Sequence, residues 1–304
     1  MSEKIPNGLT LAELLPVAQR GGFGVGAFSA RYRGFVDPIV GAAQACESPF
    51  ILENSQLEFD WFETRPSDFR VALDEALVAH GVSVPFALHL DHTWDLDLIK
   101  EAIECGFTSV MVDASQLPFD ENVERTREVV DYAHQRGVSV EAELGKLTTT
   151  DMLETLSDEE MYTDPAEAEV FVKRTGCDLL AVSVGSAHGV YMVKDPKIDF
   201  ERLTEIRRRL PDTPLVLHGG SGLPAKTVRQ AIALPGGGIS KMNVATDLEN
   251  AMLAATGLKR MSSADFDRLD PAVRALGLEA VRAEVQDKIE NYLVSAGKSW
   301  PTRV

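Results

Sequence analysis

The sequence predicts an α/β protein, a closed (β/α)8 TIM barrel with additional C-terminal helices. Three observations predict it. Short, near-continuously apolar segments alternate with amphipathic ones, the pattern of parallel strands covered on both faces by crossover helices. The beat repeats eight times, which favours a closed sheet over an open one. The 304 residues contain no low-complexity stretch and no interdomain linker, so 1–304 is expected to be one domain.

A lead-in helix is expected over 9–21. Leu11, Leu14, Leu15 and Val17 recur at helical spacing and the pattern stops at Gly21-Gly22. The first strand is read from Phe23 to Phe28 and its helix over 34–46. The run Gly22-Phe23-Gly24-Val25-Gly26 falls within that strand, not between a strand and a helix, so it is not read as a nucleotide loop. Strand 49–53 precedes helix 67–80, strand 85–90 helix 94–105, and strand 109–112 helix 121–136. Strand 139–144 leads through a long polar segment to helix 165–175. The last three units pair 179–184 with 199–209, 214–217 with 224–233, and 239–244 with 246–256. The barrel is thus expected over about 10–258, with the charged tail 263–298 as extra helices packed on it.

Bulk chemistry excludes several classes of function. A net charge of −17 leaves no basic excess to neutralise a nucleic-acid backbone. It does not exclude a small anionic ligand, which needs only local backbone donors. Cys46, Cys105 and Cys177 are isolated and form no CxxC pair, which fits a reducing, cytoplasmic setting. The first residues carry no apolar signal core and no 18-residue apolar run exists, so neither a secretory leader nor a membrane span is expected.

In such a barrel the C-terminal strand ends form the active face, so their polar residues are the informative ones. The third strand ends in His89-Leu90-Asp91-His92, the fourth in Asp113-Ala114-Ser115, and the fifth carries Glu141 and Glu143. The sixth ends in Ala187-His188-Gly189, the seventh in His218-Gly219-Gly220-Ser221-Gly222, the eighth in Asn243-Val244-Ala245-Thr246. His89, His92, His188 and His218 sit at or beside strand ends, and three imidazoles converging from separate strands suit a divalent metal with open coordination positions, zinc first. The glycines after strand seven, the hydroxyls of Ser221 and Thr246 and the helix starting near Thr246 suit a phosphate. Plainer readings stand beside these. Asp91 suits an N-cap of the next helix, a single histidine a structural hydrogen bond, and the glycines a turn with Thr246 as a cap.

Read together, these segments resemble the class II, metal-dependent fructose-bisphosphate and tagatose-bisphosphate aldolases. The likeness includes Gly106-Phe107-Thr108-Ser109-Val110-Met111-Val112-Asp113, Leu117-Pro118-Phe119-Asp120-Glu121-Asn122 and Val138-Ser139-Val140-Glu141-Ala142-Glu143-Leu144-Gly145, and runs from about 10 to 298. It implies His92, His188 and His218 as zinc ligands and Asp91 as the catalytic acid/base. Asp113 and Glu143 match acidic positions tied to a second or alternative cation location. Gly189, Gly219, Gly220, Ser221, Asn243 and Thr246, with Ala245 between the last two, match binders of dihydroxyacetone phosphate. Ser55 matches a serine near the other end of the substrate. The second acid is assigned to Asp151, with Glu154 as rival. The resemblance also implies a phosphorylated sugar substrate and a homodimer or homotetramer.

Some segments depart from that pattern. Lys146-Leu147-Thr148-Thr149 replaces a glycine-containing loop, and Ala114-Ser115-Gln116 replaces Gly-Ser-His. Ser29-Ala30-Arg31 stands after strand one, and Met192 where many members carry Lys. The segment after Ser55 is bulky and acidic. Arg31 or Arg33 is read as meeting a carboxylate or phosphate on the aldehyde side of the substrate, with solvated surface arginines as an equal alternative. Ala245 stands where fructose-type members commonly carry Asp, which leans toward the tagatose-type branch. The competing functions are an aldolase of altered aldehyde specificity, a metal-dependent hydrolase and a non-catalytic barrel subunit. The hydrolase predicts a His-x-His that the first strand's end lacks.

Overall fold

The computed structural model describes residue 5 and residues 7–145, 162–185 and 198–301. Eight parallel strands close into a barrel in sequence order. They are β1 (Val25–Ser29), β2 (Phe50–Ser55), β3 (Phe86–Asp91), β4 (Ser109–Val112), β5 (Ser139–Leu144), β6 (Leu179–Val182), β7 (Leu215–Leu217) and β8 (Ile239–Val244).

The first helix, α1 (Leu11–Gly21), lies under the barrel. Thr10 and Glu13 form its capping box, and Gly22 ends it at φ 64. Leu11, Leu14 and Leu15 pack with Val25, Ala27, Ile51, Ala87, Leu179, Ala181 and Val216 as one buried cluster, so α1 plugs the N-terminal end of the interior. The expectation that Gly22–Gly26 lies within strand one needs correction. Gly22 is the helix cap and β1 starts only at Val25.

The outer helices are α2 (Val36–Ala45), α3 (Gln56–Phe62), α4 (Pro66–Ala79), α5 (Leu96–Glu104) and α6 (Phe119–His134). Beyond the next gap come α7 (Pro165–Thr175), α8 (Phe200–Arg209), α9 (Ala225–Ile232) and α10 (Thr246–Thr256). The tail adds α11 (Ser263–Asp267) and α12 (Pro271–Asp287), which runs into a π-turn at Lys288–Tyr292. The outward faces of the strands and the inward faces of these helices share the large core, and α12 packs across α2 and α10. Among the described residues no helix is long and apolar enough to cross a membrane.

Two departures from the sequence reading matter for the site. The second strand runs on to Ser55 and is followed at once by α3, which was not expected. The eighth strand contains a bulge: Leu215 pairs with Ile239, but the next residue, Val216, pairs with Lys241. The extra residue, Ser240, resets the side-chain alternation. Ile239, Met242 and Val244 therefore all join the outer core, while Lys241 reaches across the interior to Glu141, Glu53 and Asp91.

Candidate active site

Asp91 is the last residue of β3 and His92 the first beyond it. The chain turns there, because Thr93 Oγ1 donates to the Asp91 carbonyl at 2.8 Å and Asp113 N to the Thr93 carbonyl at 2.9 Å. The turn lets adjacent residues serve one site. The cap of the following helix is Asp95, whose side chain accepts from Asp97 N, so Asp91 is not spent as an N-cap.

His92 Nδ1 lies 2.8 Å from Asp113 Oδ2 and 3.9 Å from Glu143 Oε2. His218, just past β7, sits between two carboxylates, with Nδ1 3.0 Å from Glu143 Oε2 and Nε2 2.8 Å from Glu141 Oε1. The two imidazole rings are 4.3 Å apart, centre to centre. Burial disfavours charge on both rings, but their acidic partners outweigh it. Asp91 is the main counterweight for His92, pushed up to about 9, and Glu141 and Glu143 for His218, pushed up to about 10.

Donor atoms of Asp91, His92 and His218 all lie within 4.8 Å of one another, as do those of His92, Asp113 and Glu143. Glu143 Oε1 is buried without a hydrogen-bond partner among the described residues. Two imidazoles, flanking carboxylates and an uncommitted buried oxygen fit a divalent cation, and Glu141 behind His218 is the usual outer carboxylate of such a site. A bound ion would displace the ring protons. His188, Gly189, Asp151 and Glu154 lie outside the described residues.

Asp91 lies beside this cluster. Asn243 Nδ2 donates to both carboxylate oxygens at 3.0 Å, and Lys241 Nζ is 3.6 Å from Oδ1. Burial works against the charge, but His92 and Lys241 hold the carboxyl well below the usual carboxylate range. Below it is a charged layer that the sequence reading assigned no role. Lys241 Nζ reaches Glu141 at 2.9 Å and Glu53 at 3.3 Å, and His89 Nε2 lies 3.5 Å from Glu141. Glu53 was missed altogether. Its signal was a carboxylate on the strand directly after the apolar run Phe50–Leu52.

The residues read as a phosphate cradle come together. Gly219 adopts φ 65, and Ser221 Oγ accepts from Ala245 N and Asp247 N at 3.3 Å, tying the β7 loop to the start of α10. Gly222 N donates to Asp247, whose carboxylate is paired with Lys288 at 2.6 Å. Gly220 has no room for a side chain: a Cβ would come within 2.5 Å of Met242 Cγ and 2.7 Å of the Asn243 carbonyl oxygen. Gly220→Ala is expected to lose about 1–3 kcal/mol by overpacking, checked by the denaturant midpoint. An unchanged midpoint would contradict this packing.

Ser55 caps α3, its Oγ accepting from Glu58 N at 3.3 Å. Arg33 is exposed and pairs with Glu75, as a surface arginine does. Arg31, by contrast, is buried.

A mouth of this kind marks a barrel enzyme that works with a divalent ion on a small anionic substrate. Comparison with known proteins narrows the class to one family. The family described as fructose-bisphosphate aldolase class-II matches residues 9–298. The fructose-bisphosphate aldolase of Geobacillus stearothermophilus is 38% identical over 295 residues, covering 96% of this chain and 98% of the relative. That of Staphylococcus epidermidis is 39% identical over 290 residues, covering 93% and 96%. The crystal structure of the YdjI aldolase from Escherichia coli K12 superimposes with a TM-score of 0.80 at 30% identity, covering 96% of this chain and 99% of that one. The chain belongs to the class II fructose-bisphosphate aldolases, metal-dependent lyases acting on phosphorylated sugars.

Proposed function

We propose that the protein is a zinc-dependent aldolase that cleaves or forms the C3–C4 bond of a ketose 1-phosphate or 1,6-bisphosphate of the fructose or tagatose type. The products of cleavage are dihydroxyacetone phosphate and an aldehyde. The observation that carries this reading is Asp91, an ionised carboxylate held by Asn243 immediately beside the His92–His218 pair.

His92, His218 and, from outside the described residues, His188 would hold the ion, with Glu143 and Asp113 as neighbouring positions for a second cation. When bound, the ion supplies Lewis-acid polarisation of the ketose carbonyl and adjacent hydroxyl. Asp91 takes the proton from the C4 hydroxyl as the C3–C4 bond breaks, and in synthesis returns it to the aldehyde oxygen. A second acid, assigned to Asp151 with Glu154 as its rival, protonates C3 of the released fragment. Ser221, Thr246, Ala245 and the loop Gly219–Gly220, with Gly189, hold the phosphate, and the start of α10 adds its positive dipole end. Asn243 orients Asp91. Ser55 is assigned to the aldehyde half.

Chelation followed by metal add-back tests this reading. Activity in aldol condensation is expected to fall by roughly 10³-fold or more with chelator and to return with zinc, if the ion carries the several kcal/mol assigned to such centres. Activity indifferent to chelation would overturn it. A second reading, an aldolase for an acidic or non-phosphorylated aldehyde, rests on the acidic segment after Ser55, where Glu58 is buried. A non-catalytic role is disfavoured by the intact Asp91, His92 and His218. We place the enzyme in the cytoplasm as a homodimer or homotetramer, with no nucleic-acid or membrane partner.

A further inference from the structure

Arg31 lies two residues past β1, where nothing in the reaction above uses it. Its backbone is fixed by neighbours: Asn54 Nδ2 donates to the Ala30 carbonyl at 3.0 Å, and Ala30 N to the Glu53 carbonyl at 3.1 Å. The side chain is 10% exposed. Its Nε donates to Glu58 Oε1 at 3.0 Å, Nη1 to Glu249 Oε2 at 2.5 Å, and Nη2 to Thr246 Oγ1 at 3.4 Å. Both carboxylates are themselves held. Glu58 Oε2 accepts from Ser55 N at 3.1 Å, and Arg260 pairs with Glu249.

Two consequences follow from this geometry. A guanidinium carries five N–H groups, and these contacts use three, leaving two for a further acceptor in the fork arrangement that suits phosphate. Arg31 also neutralises the local field. Glu58 on α3 and Glu249 on α10 are almost fully buried, and without Arg31 their charges would oppose an anion beside Thr246. Because the guanidinium is already locked, little side-chain freedom is lost when an anion arrives.

We propose that Arg31 determines specificity for the phosphate end of the substrate, donating to the phosphate that Thr246 and the first turn of α10 hold, an inference that rests on the aldolase reading above. The test compares zinc-loaded wild type with Arg31→Gln and with Arg31→Lys, which keeps the charge but loses the fork. Condensation is measured with dihydroxyacetone phosphate and a chosen aldehyde, varying each in turn, and inorganic phosphate is titrated calorimetrically into each protein. Arg31→Gln is expected to raise the KM for dihydroxyacetone phosphate and the Kd for inorganic phosphate by roughly 10- to 100-fold, with aldehyde KM and kcat within about threefold. Arg31→Lys is expected to raise the same two constants by less. Should Arg31→Gln not fold, those two constants in Arg31→Lys decide the matter.

A rise in aldehyde KM with the donor constants unchanged overturns the inference and puts Arg31 at the other end of the substrate. Lowered melting temperature with both phosphate constants unchanged overturns it too, leaving Arg31 a clamp between α3 and α10. A wild type that forms no carbon–carbon bond, yet loses phosphate affinity on Arg31→Gln, sinks the aldolase reading and upholds the phosphate contact.

Discussion

Replacing Asp91 by asparagine is expected to lower kcat by roughly 10²- to 10⁴-fold, the range for removing a positioned general acid–base. Zinc content and melting temperature should change little. The amide matches the carboxylate in shape, but it cannot accept the C4 hydroxyl proton. His92 keeps Asp113, and His218 keeps Glu141 and Glu143, so the cluster read as the metal site stays assembled. Lys241 also keeps Glu141 and Glu53. Steady-state kinetics with metal analysis on the same sample is the check. Turnover within tenfold of wild type would remove Asp91 from the proton-transfer step.

The second large effect is one of stability. Lys241 is fully buried, and its ammonium faces Glu141, Glu53 and Asp91. Burial alone would lower its pKa. The three carboxylates, Glu141 first, outweigh burial and hold it above the ordinary lysine range. Lys241→Met leaves those carboxylates without their shared cation, and breaking a buried pair in this way costs about 3–5 kcal/mol. At roughly 2–4 °C per kcal/mol for a large domain, the melting temperature should drop by about 10 °C. Pairing the change with Glu141→Gln removes one of the stranded charges and should recover part of the loss, so a double-mutant cycle isolates the interaction. A melting temperature within 2 °C of wild type, an interval set by the roughly 2–4 °C per kcal/mol scale, would refute the account. The sign of the pH dependence follows from the raised pKa. Lys241's contribution is present below its unfolded value, about 10.5, and is lost only as pH climbs through the higher folded value.

Much of this was legible in the chain, and for physical reasons. β4, β5 and β8 begin and end where periodicity places them, as do α7 and α10, because short apolar runs bounded by Gly, Pro and Asp leave little freedom. The residues at the strand ends could be named as soon as the barrel was recognised. Their pairing could not. That His92 takes Asp113 and His218 takes both Glu141 and Glu143 depends on barrel curvature. α3 was missed although its signature was present: Ser55-Gln56-Leu57-Glu58 is a capping box. Reading Ser55 as a substrate contact obscured its role as a cap. Arg31 gave no local sign of burial, because its partners Glu58 and Glu249 lie 27 and 218 residues away. Lys241 did leave a trace. The apolar residues of β8 fall at 239, 242 and 244, a spacing of three and then two.

That break is the bulge at Ser240, whose buried hydroxyl has no partner among the described residues. In a strand every other side chain belongs to the interior, so a residue added to the ladder exchanges the two sets beyond it unless a bulge sets it aside. Were Ser240 to take a regular place in the ladder, the phase would turn Met242 and Val244 toward the reaction chamber and Lys241 and Asn243 toward the helices. The cation under Asp91 and the amide that holds it both arrive by that half-step. For this strand the count of residues carries chemical information that their identities alone do not. Deleting Ser240 would thus leave Lys241 and Asn243 facing the interior on a regular strand, whereas flattening the bulge with Ser240 kept is equivalent to losing both, although both would still stand in the sequence.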